Sequence, residues 1–224
     1  MFRVRRRLAA IFVSHSQLTA NRKNTDLFLY LFNGLRVTSH RKNGGRSAVT
    51  RNMLSNVEIK ARVDDPVRFL QRAAELSQSE GTVIRQRDTF YPCSRGRLKL
   101  RDLMDGSGQL IFYDRPDTDG PKLSRFSISG TSDPAGLQAV LSSALGVKGR
   151  VQKERRLFLI GQTRIHLDQV EGLGTFMELE VQMQPQQTLE DGQKVAKGLM
   201  EQLGVSRDSL VTGAYMDLIL EGQK

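Results

Sequence analysis

The sequence predicts an α+β fold: an eight-stranded antiparallel β-barrel, or tunnel, with helices packed on its outside. Three observations carry this. The first is strict two-residue alternation. In the stretch from Asn56 to Val63, Val57, Ile59, Ala61 and Val63 make an apolar face, and Asn56, Glu58, Lys60 and Arg62 a polar one. The second is the tight turns between successive strand segments, which make sequence neighbours antiparallel. The third is that the helical segments carry apolar stripes of their own, and a stripe needs an apolar sheet surface to cover.

The elements follow in order. After the first strand, Asp65 is placed to cap a helix and Pro66 to occupy its first position. Val67, Leu70, Ala73, Ala74 and Leu76 then recur at helical spacing, which predicts a helix over 66–78. Gly81 ends that connection, and an extended pattern runs over 82–91 until Pro92 stops it. A strand over 97–103 follows Gly96. The turn Asp105-Gly106-Ser107-Gly108 returns it as 110–115, and a second turn over 116–121 leads into 123–129. Asp133-Pro134 repeats the cap-and-proline signature for a helix over 134–145, which Gly146 closes. Strands over 151–160, 163–170 and 175–184 come next, separated by Gly161-Gln162 and Gly172-Leu173-Gly174. Leu189, Val195, Leu199, Met200 and Leu203 mark the last long helix. Ser206 is placed to cap a short closing helix containing Leu210, Tyr215 and Leu218.

Charge narrows the class of partner. The net charge of +10 resides wholly in residues 1–52, where eleven Lys and Arg meet one acid, Asp26. The rest is neutral, so no nucleic-acid partner is expected. The basic, serine-bearing segment 1–52 has features of a mitochondrial transit segment, and Met53 stands as an alternative start. We expect 1–52 to lie outside the fold, with one domain over 53–224. The expected compartment is the cytoplasm, or the mitochondrion if 1–52 is a targeting segment. Cys93 is the only cysteine, which excludes an internal disulfide and a Cys-based zinc site. No apolar run approaches the roughly 20 residues of a membrane helix, so no membrane association is expected.

The charged faces carry the chemistry. Bases gather on Arg97, Lys99 and Arg101 and on Lys153 and Arg155. Acids gather on Glu178 and Glu180, with Glu58 and Asp168. If the helices cover the apolar strand faces from outside, these charges point inward. Unpaired buried charges are expensive, so such an interior suits a wet site for a polyanion. Arg and Lys would take phosphate oxygens, and carboxylates at i, i+2 would hold Mg²⁺ or Mn²⁺. No glycine-rich phosphate loop is present, which excludes a P-loop enzyme. His166 shares a face with Asp168 and reads either as a general acid or base or as a structural histidine. Tyr113 shares a face with Arg115 and reads as substrate contact or packing.

The residues Val57-Glu58-Ile59-Lys60, Arg97-Leu98-Lys99-Leu100-Arg101, Leu110-Ile111-Phe112-Tyr113-Asp114-Arg115-Pro116 and Lys153-Glu154-Arg155-Arg156 form a set with three later ones. These are the run from His166-Leu167-Asp168 to Gly172-Leu173-Gly174, Glu178-Leu179-Glu180, and Tyr215-Met216-Asp217-Leu218. In this order, over about 54–220, they resemble the CYTH domain family, also called the triphosphate tunnel metalloenzymes. That family includes class IV adenylyl cyclases, thiamine triphosphatases, inorganic triphosphatases and fungal RNA triphosphatases. The resemblance implies a metal-dependent hydrolase of a small organic or inorganic triphosphate, with Mg²⁺ or Mn²⁺ as cofactor. By the same resemblance Glu58, Lys60, Glu178 and Glu180 are catalytic, and Glu58, Asp168, Glu178 and Glu180 bind metal. Lys60, Arg97, Lys99, Arg101, Arg115, Lys153 and Arg155 bind the triphosphate. The family's opening Glu-x-Glu-x-Lys signature has Asn56 here as its first residue, which removes one negative charge. Two alternatives accompany this reading: an adenylyl cyclase making cyclic AMP and pyrophosphate from ATP, and a non-catalytic module binding nucleotide or polyphosphate.

Overall fold

Each alternating segment forms a strand in the computed structural model, which describes residues 54–118 and 120–222. The expectations for residues 1–52 and for Met53 lie outside that range. The strands are β1 (Leu54–Arg62), β2 (Thr82–Tyr91), β3 (Arg97–Asp102), β4 (Gly108–Asp114), β5 (Lys122–Thr131), β6 (Gly149–Ile160), β7 (Thr163–Val170) and β8 (Gly174–Gln182). The helices are α1 (Pro66–Ser77), α2 (Pro134–Leu145), α3 (Leu189–Leu203) and α4 (Tyr215–Glu221). The strands close into an antiparallel barrel in the order β1-β5-β4-β3-β2-β6-β7-β8, with β1 joining β5 on one side and β8 on the other.

Both cap-and-proline signatures start helices. Asp65 Oδ1 accepts from Arg68 N at 3.0 Å, and Asp133 Oδ1 accepts from Gly136 N at 2.8 Å, each just ahead of a proline in the first turn. The helix α3 starts on a reciprocal capping box between Thr188 and Asp191.

The apolar strand faces point outward. Val57, Ile59, Ala61, Ile165, Leu167, Met177, Leu179 and Val181 form one buried cluster with Phe69 and Ala73 of α1 and with Ala196, Leu199, Met200 and Leu203 of α3. In α3, Gly192 lies directly against the barrel. A Cβ there would come within 2.7 Å of Val57 Cγ2 and 2.5 Å of Met183 Sδ. The helix packs this close only because the side chain is missing.

The closing helix differs from expectation. Ser206 caps a single 3₁₀ turn, Arg207–Ser209, and not a helix containing Leu210. Leu210 bridges to Ala61, and Val211 N donates to the Lys60 carbonyl at 2.9 Å, so the chain is extended there. Pairing with β1 outcompetes the weak helical pattern, and α4 begins afresh at Tyr215. It sits at one end of the barrel. Tyr215 and Met216 join Phe90, Ile111, Tyr113, Val151, Val170 and Phe176 in a second buried apolar cluster drawn from inward-facing strand positions. Met216 is seated close against Gly149, where an added Cβ would meet its Sδ and Cε at 2.5 Å. Among the described residues no helix is long and apolar enough to cross a membrane.

Leu179 is fully buried beneath the helices, although its chain neighbours are Glu178 and Glu180. Leu179→Ala should therefore lower unfolding stability by about 2–5 kcal/mol, measured by urea denaturation.

Candidate active site in the barrel interior

With the apolar faces taken by helices, the alternate residues of every strand face inward. Register decides which of them meet. Across β1 and β8, Glu58 lies opposite Glu180 and Lys60 opposite Glu178. Across β7 and β8, Arg164 lies opposite Glu180 and His166 opposite Glu178. Across β6 and β7, Arg155 lies opposite Asp168. Glu58 also lies opposite Lys122 of β5. One band around the wall thus gathers acids and bases from five strands.

Two carboxylates are fully engaged by cations. Asp168 takes Arg155 Nε and Nη2 at 2.6 Å each, Lys153 Nζ at 3.1 Å and the Tyr215 hydroxyl at 2.9 Å. Asp88 takes Arg101 Nε at 2.8 Å and Nη2 at 2.9 Å, and Lys99 Nζ at 2.8 Å. Burial alone would raise both acids. Arg155 and Lys153 reverse this for Asp168, and Arg101 and Lys99 for Asp88, holding each below the usual aspartate range.

The three glutamates are less saturated. Glu58 accepts from Arg115 Nη1 at 2.9 Å. Burial raises its pKa against the pull of Arg115, and the charges of Glu178 and Glu180 raise it further. Glu178 accepts from Arg155 at 2.6 Å and lies 3.4 Å from Lys60 Nζ. Glu180 takes Arg164 on Oε2 at 2.6–2.7 Å, which leaves Oε1 directed at His166. Burial would raise Glu180, but Arg164 outweighs it and the pKa falls to about 2. Oxygen atoms of Glu178 and Glu180 and a nitrogen of His166 all lie within 4.8 Å of one another, a spacing that fits one cation.

Eight basic side chains face these five carboxylates: Lys60, Lys99, Arg101, Arg115, Lys122, Lys153, Arg155 and Arg164. The excess is positive. Arg115 is buried, yet its Nε and Nη2 make no hydrogen bond. Lys122 Nζ reaches only the Thr212 carbonyl, at 2.6 Å. Burial, with Arg115 and Lys60 nearby, lowers Lys122 to about 8; burial, with Arg155 beside it, lowers Lys153 to about 7. An interior that depresses its own lysines favours an incoming anion.

Arg97 stands apart, at the end closed by α4. It pairs with Asp217 of that helix at 2.9 Å and with Asp117 at 2.5 Å. Tyr113 is buried nearby, within the apolar cluster. Tyr215 does more than close the helix against the barrel: its ring carries Lys60 Nζ 3.6 Å from its centroid while its hydroxyl binds Asp168. The amide of Asn56, turned to suit its neighbours, accepts from Arg164 Nη2 and donates to the Ser55 carbonyl, both at 3.1 Å. Asp88, Lys122 and Arg164 were not singled out from the sequence. Only the parity of Asp88 and Arg164 with inward-facing neighbours could have found them.

A family model described as the CYTH domain matches residues 54–215. The chain belongs to the CYTH domain family. Solved structures of the same fold include the PH1012 protein from Pyrococcus horikoshii, at 21% identity and TM-score 0.64 over 73% of this chain and 98% of that one. A conserved protein from Pyrococcus furiosus aligns at 18% identity and TM-score 0.64, over 73% and 99% of the two chains. A candidate adenylate cyclase from Vibrio parahaemolyticus aligns at 22% identity and TM-score 0.60, over 74% and 97%. No curated protein matches the sequence. This CYTH domain has the inverted barrel that the alternating charges predict, with α1 and α3 against the outer apolar faces and its ion pairs inside.

The buried histidine makes the fold acid-sensitive. Burial, and then the charge of Arg155, lowers His166 from 6.5 to about 3. Between those values the unfolded chain binds a proton that the folded chain does not, so stability falls as pH falls from 6.5 toward 3. The other two histidines, His15 and His40, lie in residues 1–52. Urea unfolding between pH 7 and 5 should show this loss, and His166→Gln should flatten the slope by up to about 1.4 kcal/mol per pH unit.

Proposed function

We propose that this CYTH domain hydrolyses a small molecule bearing a triphosphate, inside the barrel and with a divalent cation. The observation that carries the reading is the surplus of buried cations. Among the described residues, Arg115 Nε and Nη2 make no hydrogen bond, Nη2 lying 3.9 Å from Asp117, and Lys122 and Lys153 have lowered pKa values, beside Glu178 and Glu180, which with His166 are spaced for one metal ion.

In this reading Lys60, Arg115, Lys122, Lys153 and Arg155 take the phosphate oxygens, with Lys99 and Arg101 extending the grip along β3. Arg guanidinium forks and lysine ammonium groups suit that task. Asp168 and Asp88 serve as positioning groups. Each already binds two cations, which holds those side chains inward before any ligand arrives. Arg97 binds from the α4 end. Glu58, Glu178 and Glu180 face the remaining space and hold the cation, Mg²⁺ or Mn²⁺. When bound, that cation supplies positive charge to the phosphate chain. Water adds to the terminal phosphorus, the bridging P–O bond breaks, and the Arg and Lys groups stabilise the negative charge left on the departing oxygen.

Asn56 supports a second reading, a module that binds triphosphate without turnover. Its amide is occupied with Arg164 and Ser55, so it adds no charge to the carboxylate group. Cyclisation of ATP to cyclic AMP uses the same grip with the ribose hydroxyl as nucleophile.

One experiment separates these. The chain is incubated with tripolyphosphate, ATP or thiamine triphosphate plus Mg²⁺ or Mn²⁺, and products are resolved by chromatography. Phosphate release is expected, with Glu178→Gln lowering it by at least about 10²-fold. Cyclic AMP would replace the hydrolase with a cyclase. Metal-dependent binding without product would establish the binding module.

Anion binding should also take up protons. At pH 8, above the value of about 7 for Lys153, this amine is largely neutral, and a bound polyanion restores its charge. Calorimetric titration with tripolyphosphate should give a more positive apparent enthalpy in a buffer of high ionisation enthalpy than in one of low. Lys153→Met should reduce the difference.

A further inference from the structure

His166 is out of place as a structural histidine. It is 3% exposed, and its Nδ1 makes no hydrogen bond. A buried imidazole normally finds partners for its nitrogens. This one is aimed at two carboxylates without bonding either: Nδ1 lies 3.8 Å from Glu180 Oε1 and 3.9 Å from Glu178 Oε2. Those distances are too long for hydrogen bonds. They are close to the donor–donor spacing around a single metal ion. Metal–nitrogen and metal–oxygen bonds of about 2.0–2.2 Å at tetrahedral angles put neighbouring donors roughly 3.3–3.5 Å apart. A shift of about half an ångström would bring Nδ1 to that spacing from each oxygen, and the three atoms already lie within 4.8 Å of one another.

Both carboxylates are anchored by cations. Arg164 holds Glu180 through Oε2 alone, so Oε1 keeps its lone pairs for the side that faces His166. Glu178 is held at both oxygens, by Lys60 at Oε1 and by Arg155 at Oε2, the oxygen that faces His166; a carboxylate oxygen carries two lone pairs, so Oε2 keeps one for a metal ion. The histidine is anchored too, on β7 directly across from Glu178 on β8.

We infer that His166 Nδ1 joins the glutamates as a protein ligand, which makes this a mixed nitrogen–oxygen site that takes Co²⁺ or Zn²⁺ in addition to Mn²⁺ and Mg²⁺. The inference rests on the proposed function's reading of this pocket as the metal site, and adds the ligand and the class of ion. A site of carboxylates alone suits Mg²⁺ and Mn²⁺, whereas an imidazole nitrogen favours the later transition metals. His166 in this role touches the cofactor directly.

The test uses the metal alone, on the full chain carrying His15→Gln and His40→Gln, so that His166 is the only histidine. Calorimetry measures Co²⁺ and Mg²⁺ binding to the metal-free protein. Pulsed electron paramagnetic resonance of the Mn²⁺-loaded protein looks for coupling to a directly bonded imidazole nitrogen. Outer partners of a ligand alone change metal affinity by about 10–100-fold, so adding His166→Gln should weaken Co²⁺ by at least about tenfold. The same change should leave Mg²⁺ within about threefold, and the nitrogen coupling should be present only with His166. The nitrogen signal needs no His166 variant, so it decides the matter even if His166→Gln does not fold. Metal bound with no nitrogen coupling would overturn the inference and leave the proposed function standing. Failure of every ion to bind would overturn both.

Discussion

The constraint on which this structure depends is that the barrel is turned inside out. α1 and α3 present apolar stripes that must be covered, and the outer faces of β1, β7 and β8 cover them. Alternation then forces the opposite parity inward, polar residues included. Ionised groups moved from water into a protein interior cost several kcal/mol each unless they are paired. The interior is accordingly a pairing problem, and the strand register solves most of it. Arg155 meets Asp168 directly across β6 and β7, Lys60 meets Glu178 across β1 and β8, and Arg164 meets Glu180 across β7 and β8. A one-residue slip at any of these ladders would turn the ions onto the helices and the leucines inward. Site and fold are specified by the same register.

What the pairing leaves over is as informative as what it satisfies. Asp168 collects four donor contacts and Asp88 three, so both are more heavily engaged than the glutamates. Glu58 and Glu180 are each held through one oxygen, and Glu178 through both. Arg115 and Lys122 retain bonding capacity. The interior therefore separates into a scaffold of aspartates with their cations and a working set of glutamates, His166 and the under-used bases. The apolar cluster around Tyr215, Phe176 and Phe90 backs this polar chamber at the α4 end. There Tyr215 serves both, with its ring among the apolar groups and its hydroxyl on Asp168.

Positions were legible in the sequence where alternation was clean. Glu58, Lys60, Glu178 and Glu180 stand alone between apolar residues, so their shared face could be read without a structure, whereas Lys153 and Arg155 sit in the polar run Gln152-Lys153-Glu154-Arg155-Arg156 and were read from their two-residue spacing. Partners were not legible, because pairing depends on which strands adjoin. Asp88 went unnoticed since its face of β2 mixes Ile84, Gln86 and Phe90, which dilutes the charge signal. Lys122 begins β5 directly after a turn, where periodicity has no preceding residues to establish it. Tyr215 reaches Asp168 across 47 positions, and no local pattern encodes such a contact. The closing helix was misread for a related reason. A cap signal at Ser206 is local, whereas the bridge from Leu210 to Ala61 that extends the chain is not.

Asn56 shows how one residue changes the balance of this interior. It occupies the inward face beside the carboxylates, but its amide meets Arg164, the cation that also holds Glu180. A glutamate in its place would compete with Glu180 for that arginine. With a neutral amide, Arg164 stays committed to Glu180 Oε2, and the orientation of Oε1 toward His166 is maintained. The amide leaves its edge of the carboxylate group without an anion. His166 is the complement to that amide: it places a neutral nitrogen beside Glu178 and Glu180 without adding charge, in an interior whose bases outnumber its carboxylates.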